Sequence, residues 1–469
     1  MLSKKLALDT INLSLKTGAD FAELFYEDTT KQFIQLDNGK VEDLVEGQIF
    51  GVGIRLLKGL RSVYGYTNNV TKKGLFELAN KLSKSFDDKQ IVKDIDKFEV
   101  THYKRVNKKV LSYNEVNKKD IIDLLKKSTA VMANYDKRIV RTVGGFLITM
   151  TDVNIFNSKG KFTKDHREWG RFILQSIASE NRKIETRFDG PGNQKGWEWF
   201  KEDNRMLKVA QHNAEKVILM LGAKECPSGN FPVVIGNGWG GVIFHEACGH
   251  QLEATSVAKK LSVFTDMVGK AIASPVVSAY DNGVLANEWG SSNVDDEGIP
   301  AQNNLLIKDG ILQDYLVDSF NGRRMNNHPG NGCCRRESYK YEPTSRMSNT
   351  YIAKGKSKPE DIIKATKLGI YAVSFNGGSV NPATGEFNFG CSEAYLIKDG
   401  KIDQPLRGAT LIGKATEILK NIDMVGNDVD LGQGMCGSSS GSIPVNVGQP
   451  TIRIKTIIVG GRGGSINEL

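Results

Sequence analysis

The sequence predicts an α+β protein, with an N-terminal α+β domain over residues 1–224 and a mostly β domain over residues 225–469 whose inserted helices carry the candidate site. Three observations predict this. In the first half, segments with apolar residues at helical spacing are separated by segments rich in β-branched and aromatic residues. Of the 49 glycines, 34 fall after residue 200, where short β-rich pieces alternate with turns such as Lys308-Asp309-Gly310 and Lys398-Asp399-Gly400. No apolar run approaches the roughly 18 residues that a spanning helix needs, which excludes a helical membrane protein. A hydrophobic content of 39% also argues against extended disorder.

The first helix is predicted from Leu6, Ile11 and Leu15, ending before Gly18. Lys4, Lys5, Asp9 and Asn12 break up its leucines, so the segment lacks the continuous apolar stretch of a secretory signal and reads as a cytoplasmic N-terminus. Strands are expected at Phe21 to Tyr26, Gln32 to Leu36, Gly47 to Leu57 and Arg61 to Tyr66, with Asp37-Asn38-Gly39 and Lys58-Gly59 as turns. Helices follow at about Thr71 to Phe86 and Lys118 to Asn134. Long strands are read at Ile139 to Ile155, Phe162 to Asp165 and Trp169 to Phe188, around a Ser158-Lys159-Gly160 hairpin turn. A further helix from about Asp203 ends at Gly222, and Cys226-Pro227-Ser228-Gly229 cannot prolong it, which places the domain boundary there.

Charge is unevenly distributed. Residues 1–200 hold 35 basic and 26 acidic groups, a net of +9, whereas the remainder balances at 28 of each. Because the lysines of 104–127 lack interleaved aromatic platforms, a solvated basic face is favoured over nucleic-acid contact. The six cysteines, 226, 248, 333, 334, 391 and 436, match neither a disulfide scaffold nor paired zinc hooks.

Two motifs follow each other closely. Gly236-Asn237-Gly238-Trp239-Gly240-Gly241 has dinucleotide-fingerprint spacing, but without alternating βαβ units it reads as a turn that lets a helix pack tightly on a strand; Glu253 is the only acid near the distance such a site requires. His245-Glu246-Ala247-Cys248-Gly249-His250 sets two imidazoles around a carboxylate, and that is metal-hydrolase chemistry: neutral histidine nitrogens suit zinc, and the carboxylate can take a proton from an attacking water. On a regular helix, residues five apart diverge by about 140°, so both rings can face one ion only if the helix is irregular near Gly249. A third ligand must come from elsewhere. Cys436, in the glycine-flanked Gly434-Met435-Cys436-Gly437, is preferred, with Cys226, Cys333, Cys334, Cys391 and the other histidines left open.

Seven ordered segments carry a resemblance: HEACGHQLEA at 245–254, NVDDEGIPAQNN at 293–304, RRESY at 335–339, RMSNTY at 346–351, SEAYLIKDGKI at 392–402, RGATLIG at 407–413 and MCGSSSGSIPVNVGQPTIRI at 435–454, with weaker support from GADFAELFYED at 18–28. On these the chain resembles the TldD/PmbA family of zinc metallopeptidases, in particular its TldD-type subunit. The resemblance implies a soluble, two-domain, dimeric peptidase that holds Zn2+ through His245, His250 and Cys436, with Glu246 as general base. It also implies pairing with itself or with a PmbA-type subunit, and action on peptides or unfolded segments. Members once described as modulators of DNA gyrase keep a non-catalytic regulatory role, built on the basic first domain, as the alternative. The run Gly437-Ser438-Ser439-Ser440-Gly441-Ser442 departs from the family's pattern.

Three secondary expectations accompany this reading. Arg335, Arg336 and His328 are candidate oxyanion donors, although salt-bridge or surface roles suit them better. Asp295-Asp296-Glu297 is either an acidic turn or a second cation site. Strands 392–397 and 451–459 are candidate edges for pairing with an extended peptide.

Overall fold

The computed structural model describes residues 2–108, 110–381 and 384–466. In the first part, α1 (Lys4–Leu15), α2 (Lys72–Ser83), α3 (Lys118–Ala133) and α4 (Arg205–Leu221) pack against a sheet built on β1 (Phe21–Asp37), β2 (Lys40–Lys58), β3 (Arg61–Thr67), β4 (Ile139–Asn157), β5 (Lys161–Glu180) and β6 (Lys183–Asp189). The order β3-β2-β1-β4-β5, continued by β6, is antiparallel throughout; short turns join each consecutive pair except β1 and β4, which meet across the intervening strands and helices. Ser3 and Thr71 cap α1 and α2 through their hydroxyls, and Asn117 caps α3 through its side-chain oxygen. One apolar cluster joins Ile11, Leu15, Leu24, Ile54 and Leu75; a second joins Leu125, Phe146, Phe172 and Val217. These place α1 and α2 over one region of the sheet and α3 and α4 over another.

Two strand expectations are corrected. The pieces at 21–26 and 32–36 are one strand, because Glu27 to Lys31 pair on both sides, with β2 and with β4. The segment 169–188 is two strands, broken at Asn181 and Arg182, whose φ values of +50° and +67° make a tight hairpin turn. No glycine marks that turn, so the sequence offered little to find it by.

The second part is built on β7 (Gly229–Ile235), β8 (Ala279–Asn282), β9 (Asn303–Lys308), β10 (Asn349–Ile352), β11 (Leu368–Val380), β12 (Glu386–Lys398), β13 (Lys401–Arg407), β14 (Thr410–Lys414), β15 (Asp430–Ser438), β16 (Gly441–Gln449) and β17 (Ile452–Gly460). One sheet runs β11-β7-β17-β14-β12-β13, and the additional pairing of β11 with β12 closes part of it into a ring. Another runs β9-β8-β10-β16-β15. The helix α5 (Val242–Ala247) lies between β7 and this second sheet, inside the largest apolar cluster with Ile243, Phe244, Leu252, Ile352 and Val447.

The peptide-edge expectation does not hold. β12 pairs with β11 on one side and with β13 and β14 on the other; β17 pairs with β7 and with β14. Both are interior strands, whose backbone groups are largely taken by neighbours.

A buried charge network ties the two parts together. Arg55 on β2 pairs with Glu23 on β1 at 2.8 Å and with Glu297 at 2.6 Å; Arg336 pairs with Glu23 at 2.7 Å, and Arg167 on β5 pairs with Asp296 at 2.7 Å. Asp295 accepts from the backbone N–H groups of Glu297, Ile299 and Cys334. The Asp295-Asp296-Glu297 run is thus a buried turn whose carboxylates are engaged by protein donors, not by a second cation.

Candidate metal centre

The centre begins with a close packing contact. A Cβ on Gly241, at the entry to α5, would sit 2.5 Å from the backbone of Gly448 on β16, so only glycine lets the chain approach there. The Gly236–Gly241 run serves this close approach of helix to strand. Val242, Ile243 and Phe244 then anchor α5 in the core and turn His245 inward, where it is buried.

The helix stops at Ala247. Cys248 leaves helical geometry at φ −118°, ψ −50°, and a tighter 3₁₀ turn spans Gly249–Leu252. This change of pitch brings His250 round toward His245. The two ring centroids are 5.0 Å apart with an interplanar angle of 83°. Gly249 permits the turn, since a Cβ there would meet Met347 Sδ at 2.1 Å.

Cys436 arrives from β15, opposite Ile443 of β16. Its Sγ lies 3.4 Å from His245 Nε2 and 3.3 Å from His250 Nε2. A tetrahedral zinc with bonds of about 2.0–2.3 Å places its N and S donors about 3.5 Å apart. A two-imidazole, one-thiolate set suits zinc and leaves one position open for water, so the residues fit the ion that the sequence implies. Among the described residues, His245, His250 and Cys436 are the one group of three or more metal-capable side chains whose ligand atoms lie within 4.8 Å of one another.

Arg346 fixes the hairpin that delivers the thiol. Fully buried, its guanidinium donates to the carbonyl of Cys436 and to Ser440 Oγ and Gly441 O at 2.8 and 2.9 Å, bracketing the turn between β15 and β16. Ser440 belongs to the Gly437–Ser442 run, and its hydroxyl is one of the groups that holds this turn.

Glu246 is 29% exposed at its side chain, so it reaches water, and its carboxylate lies 3.7 Å from His250 Nε2. Burial raises its pKa above the usual carboxylate value, an effect that His250 opposes and Glu253 reinforces. Burial pushes His245 well below the ordinary histidine range, aided by His250 and Arg346. For His250 burial acts the same way, but the carboxylate of Glu253 and the bond to Cys436 outweigh it, and its pKa is well above 6.5.

The other sequence candidates lie in other surroundings. Arg335 donates to the carbonyls of Met347 and Pro444, and Arg336 belongs to the charge network. His328 lies 3.9 Å from Asp314 and lines a separate cleft with Phe21 and Arg323. Cys226, Cys248, Cys333, Cys334 and Cys391 are buried, and burial holds each thiol protonated to higher pH than usual. Sequence reasoning missed the contributions of Arg346 and Glu253 to this site. For Glu253 a signal existed, since it stands three residues after His250.

Next to the hairpin, an 880 Å³ cleft is lined by Arg171, Phe188, Trp239, Phe375, Gln433 and Met435, so the strand that carries Cys436 also forms one of its walls. No helix among the described residues is long and apolar enough to cross a membrane.

Comparison with known proteins places the chain among described families and folds. Residues 22–85, 112–221 and 228–461 match the models for domain 1, the central domain and the C-terminal domain of the PmbA/TldA metallopeptidases. A protein of Buchnera aphidicola subsp. Schizaphis graminum, named a metalloprotease TldD homolog, is 36% identical over 456 residues, covering 94% of this chain and 93% of that one. Among solved structures, a Bacteroides thetaiotaomicron protein described as a modulator of DNA gyrase aligns with a TM-score of 0.79 at 20% identity, covering 98% of this chain and 100% of the other. TldE from Thermococcus kodakarensis aligns with a TM-score of 0.76 at 18% identity, covering 97% and 100%. At these identities the two structures are evidence for the shared fold.

Proposed function

The chain belongs to the PmbA/TldD metallopeptidase family, and on that premise we propose that it is a zinc-dependent peptidase of the TldD type. In this reading His245, His250 and Cys436 hold the ion, and Glu246 is the general base. The observation that carries it is the convergence of both histidine Nε2 atoms on Cys436 Sγ, at 3.4 and 3.3 Å, with the Glu246 carboxylate alongside.

When bound, zinc supplies Lewis acidity toward a peptide carbonyl and an attacking water, tempered by the one thiolate among its ligands. Glu246 takes a proton from that water and passes it to the leaving amine, a task that a partly desolvated carboxylate with a raised pKa suits. Arg346 holds the Cys436 hairpin in place, so the thiol needs little reorganisation to reach the ion. The cleft beside the hairpin supports peptides or unfolded segments as substrates, since it offers Phe188, Trp239 and Met435 for side chains of varied shape. The reading includes association with a second copy or with a PmbA-type subunit, as the resemblance implies.

The test combines metal analysis with peptide cleavage. Wild type is expected to carry about one zinc per chain and to lose cleavage when a chelator removes it. Glu246→Gln is expected to retain zinc while cleavage falls by about 100-fold or more, because only the proton acceptor is lost. In Cys436→Ser, zinc and cleavage are expected to fall together. Full activity in zinc-loaded Glu246→Gln would rule out the mechanism; wild-type zinc affinity in Cys436→Ser would move the third ligand elsewhere. The excess of positive charge in residues 1–200 favours a second, regulatory reading. Absence of tightly held metal, combined with salt-sensitive DNA binding, would support it.

A further inference from the structure

We propose that Glu253 is the positioning carboxylate of the metal centre: it accepts the Nδ1 proton of His250 and so fixes the ring with Nε2 toward the ion. The inference rests on the zinc reading above and adds a residue to it. Three observations carry it.

The first is contact. Glu253 Oε2 lies 3.1 Å from His250 Nδ1, while His250 Nε2, on the far side of the ring, lies 3.3 Å from Cys436 Sγ. A carboxylate without a proton is an acceptor only, so the nitrogen facing it carries a hydrogen, and the other nitrogen is the one whose lone pair faces the ion once its own proton is displaced.

The second is the rest of the carboxylate's environment. Glu253 is only 4% exposed, and its Oε1 has no hydrogen-bond partner among the described residues. It occupies the N-cap position of the short helix Ala254–Val257, yet its side chain makes no capping bond. A buried carboxylate kept merely for packing or capping is unfavourable, and His250 is the partner that compensates for its burial. Its backbone is fixed as well, because Ala254 N donates to Leu316 O at 2.7 Å and Leu316 N donates to Leu252 O at 2.9 Å.

The third is the asymmetry of the two histidines. His245 projects from the regular part of α5 and is buried, and its Nδ1 has no hydrogen-bond partner among the described residues. His250 lies beyond the break, in a single 3₁₀ turn, where helical geometry no longer sets the ring's direction. The ligand that lacks a regular helix beneath it is the one a carboxylate orients. Such partners commonly set metal affinity by about 10–100-fold.

The experiment measures zinc affinity of the full-length protein by competition with a chromophoric chelator, for wild type, Glu253→Ala, Glu253→Gln and Cys436→Ser, with a thermal melt of each. Glu253→Ala is expected to bind zinc about 10–100-fold more weakly at an unchanged fold. Glu253→Gln is expected to recover part of that loss, because its amide oxygen accepts the same proton without the charge. If Glu253→Ala does not fold, Glu253→Met, which fills similar space without an acceptor, is measured in its place. Zinc binding by a folded Glu253→Ala, or failing that by Glu253→Met, within about threefold of wild type overturns the positioning role, given a usual effect of tenfold or more. A wild type that holds no zinc, or one matched by Cys436→Ser, instead overturns the ligand set on which the role depends.

Discussion

His166 on β5 stands between two carboxylates, with Asp152 at 3.0 Å from one ring nitrogen and Glu168 at 2.8 Å from the other. Its bond to Glu168 outweighs partial burial and, with Asp152, raises its pKa to about 9. Because the folded value lies above the unfolded one, the imidazolium contributes stability that is fully present below about pH 6.5 and is lost as pH rises through about 9. His166→Asn is therefore expected to lower Tm at pH 6 and to leave it almost unchanged at pH 10. The effect should stay within about 1 kcal/mol, since the ring is half-exposed and screened. A loss equal at both pH values would show that the charge contributes nothing. At the candidate centre, His245, Glu246 and His250 were legible in the sequence because a rare residue type recurs at short range around a carboxylate. Arg346 was not: an arginine that fixes a hairpin through backbone carbonyls leaves no local pattern.

Among the elements, the short helix α5 shows why the six-residue spacing works. A helix continuing through Leu252 would point the rings apart, and the switch to a 3₁₀ turn at Gly249 corrects the angle. Two glycines frame this piece, and they differ in what stands against them. At Gly241 the obstacle is the backbone of Gly448, 2.5 Å from an added Cβ; at Gly249 it is the flexible thioether of Met347. Gly241→Ala is expected to cost about 3 kcal/mol, at the upper end for overpacking, and Gly249→Ala about 1 kcal/mol because methionine can move. The order of the two urea midpoints checks this, and the reverse order would mean that the strand yields more easily than the side chain. The need for an irregular helix could be read from the spacing, whereas the partners that permit it, Gly448 and Met347, come from more than 90 residues further along the chain.

Across the whole molecule, the buried network of Glu23, Arg55, Glu297, Arg336, Asp296 and Arg167 joins the first sheet to the second part of the chain. Breaking a buried pair from one side leaves uncompensated charge, so Arg55→Ala is expected to cost about 3–5 kcal/mol. Arg141→Ala removes the partner of Asp37 at the surface, where solvent and salt screen the pair, and is expected to leave Tm almost unchanged. Thermal melts of both variants test the contrast; an Arg55→Ala protein as stable as Arg141→Ala would mean that the two parts are held together by other contacts. The network also explains how three consecutive carboxylates can be buried as an acidic turn. The arginines that pair with Asp296 and Glu297 lie on β5 and β2, more than 120 residues away in sequence.

The sequence by itself determined the α+β class, most helices of the first half, the hydrolase-like grouping of His245, Glu246 and His250, and the need for a third donor. Each depends on local periodicity or short-range spacing, which a linear chain displays directly. The sequence also favoured Cys436 among the six cysteines, and the tertiary structure brings it to the two histidines; only the tertiary structure decided that strands 386–398 and 452–460 are interior and that Glu253 and Arg346 contact His250 and the Cys436 hairpin. Those outcomes depend on which distant segments share a sheet and which buried charges find partners, and burial and pairing are properties of the folded chain in three dimensions.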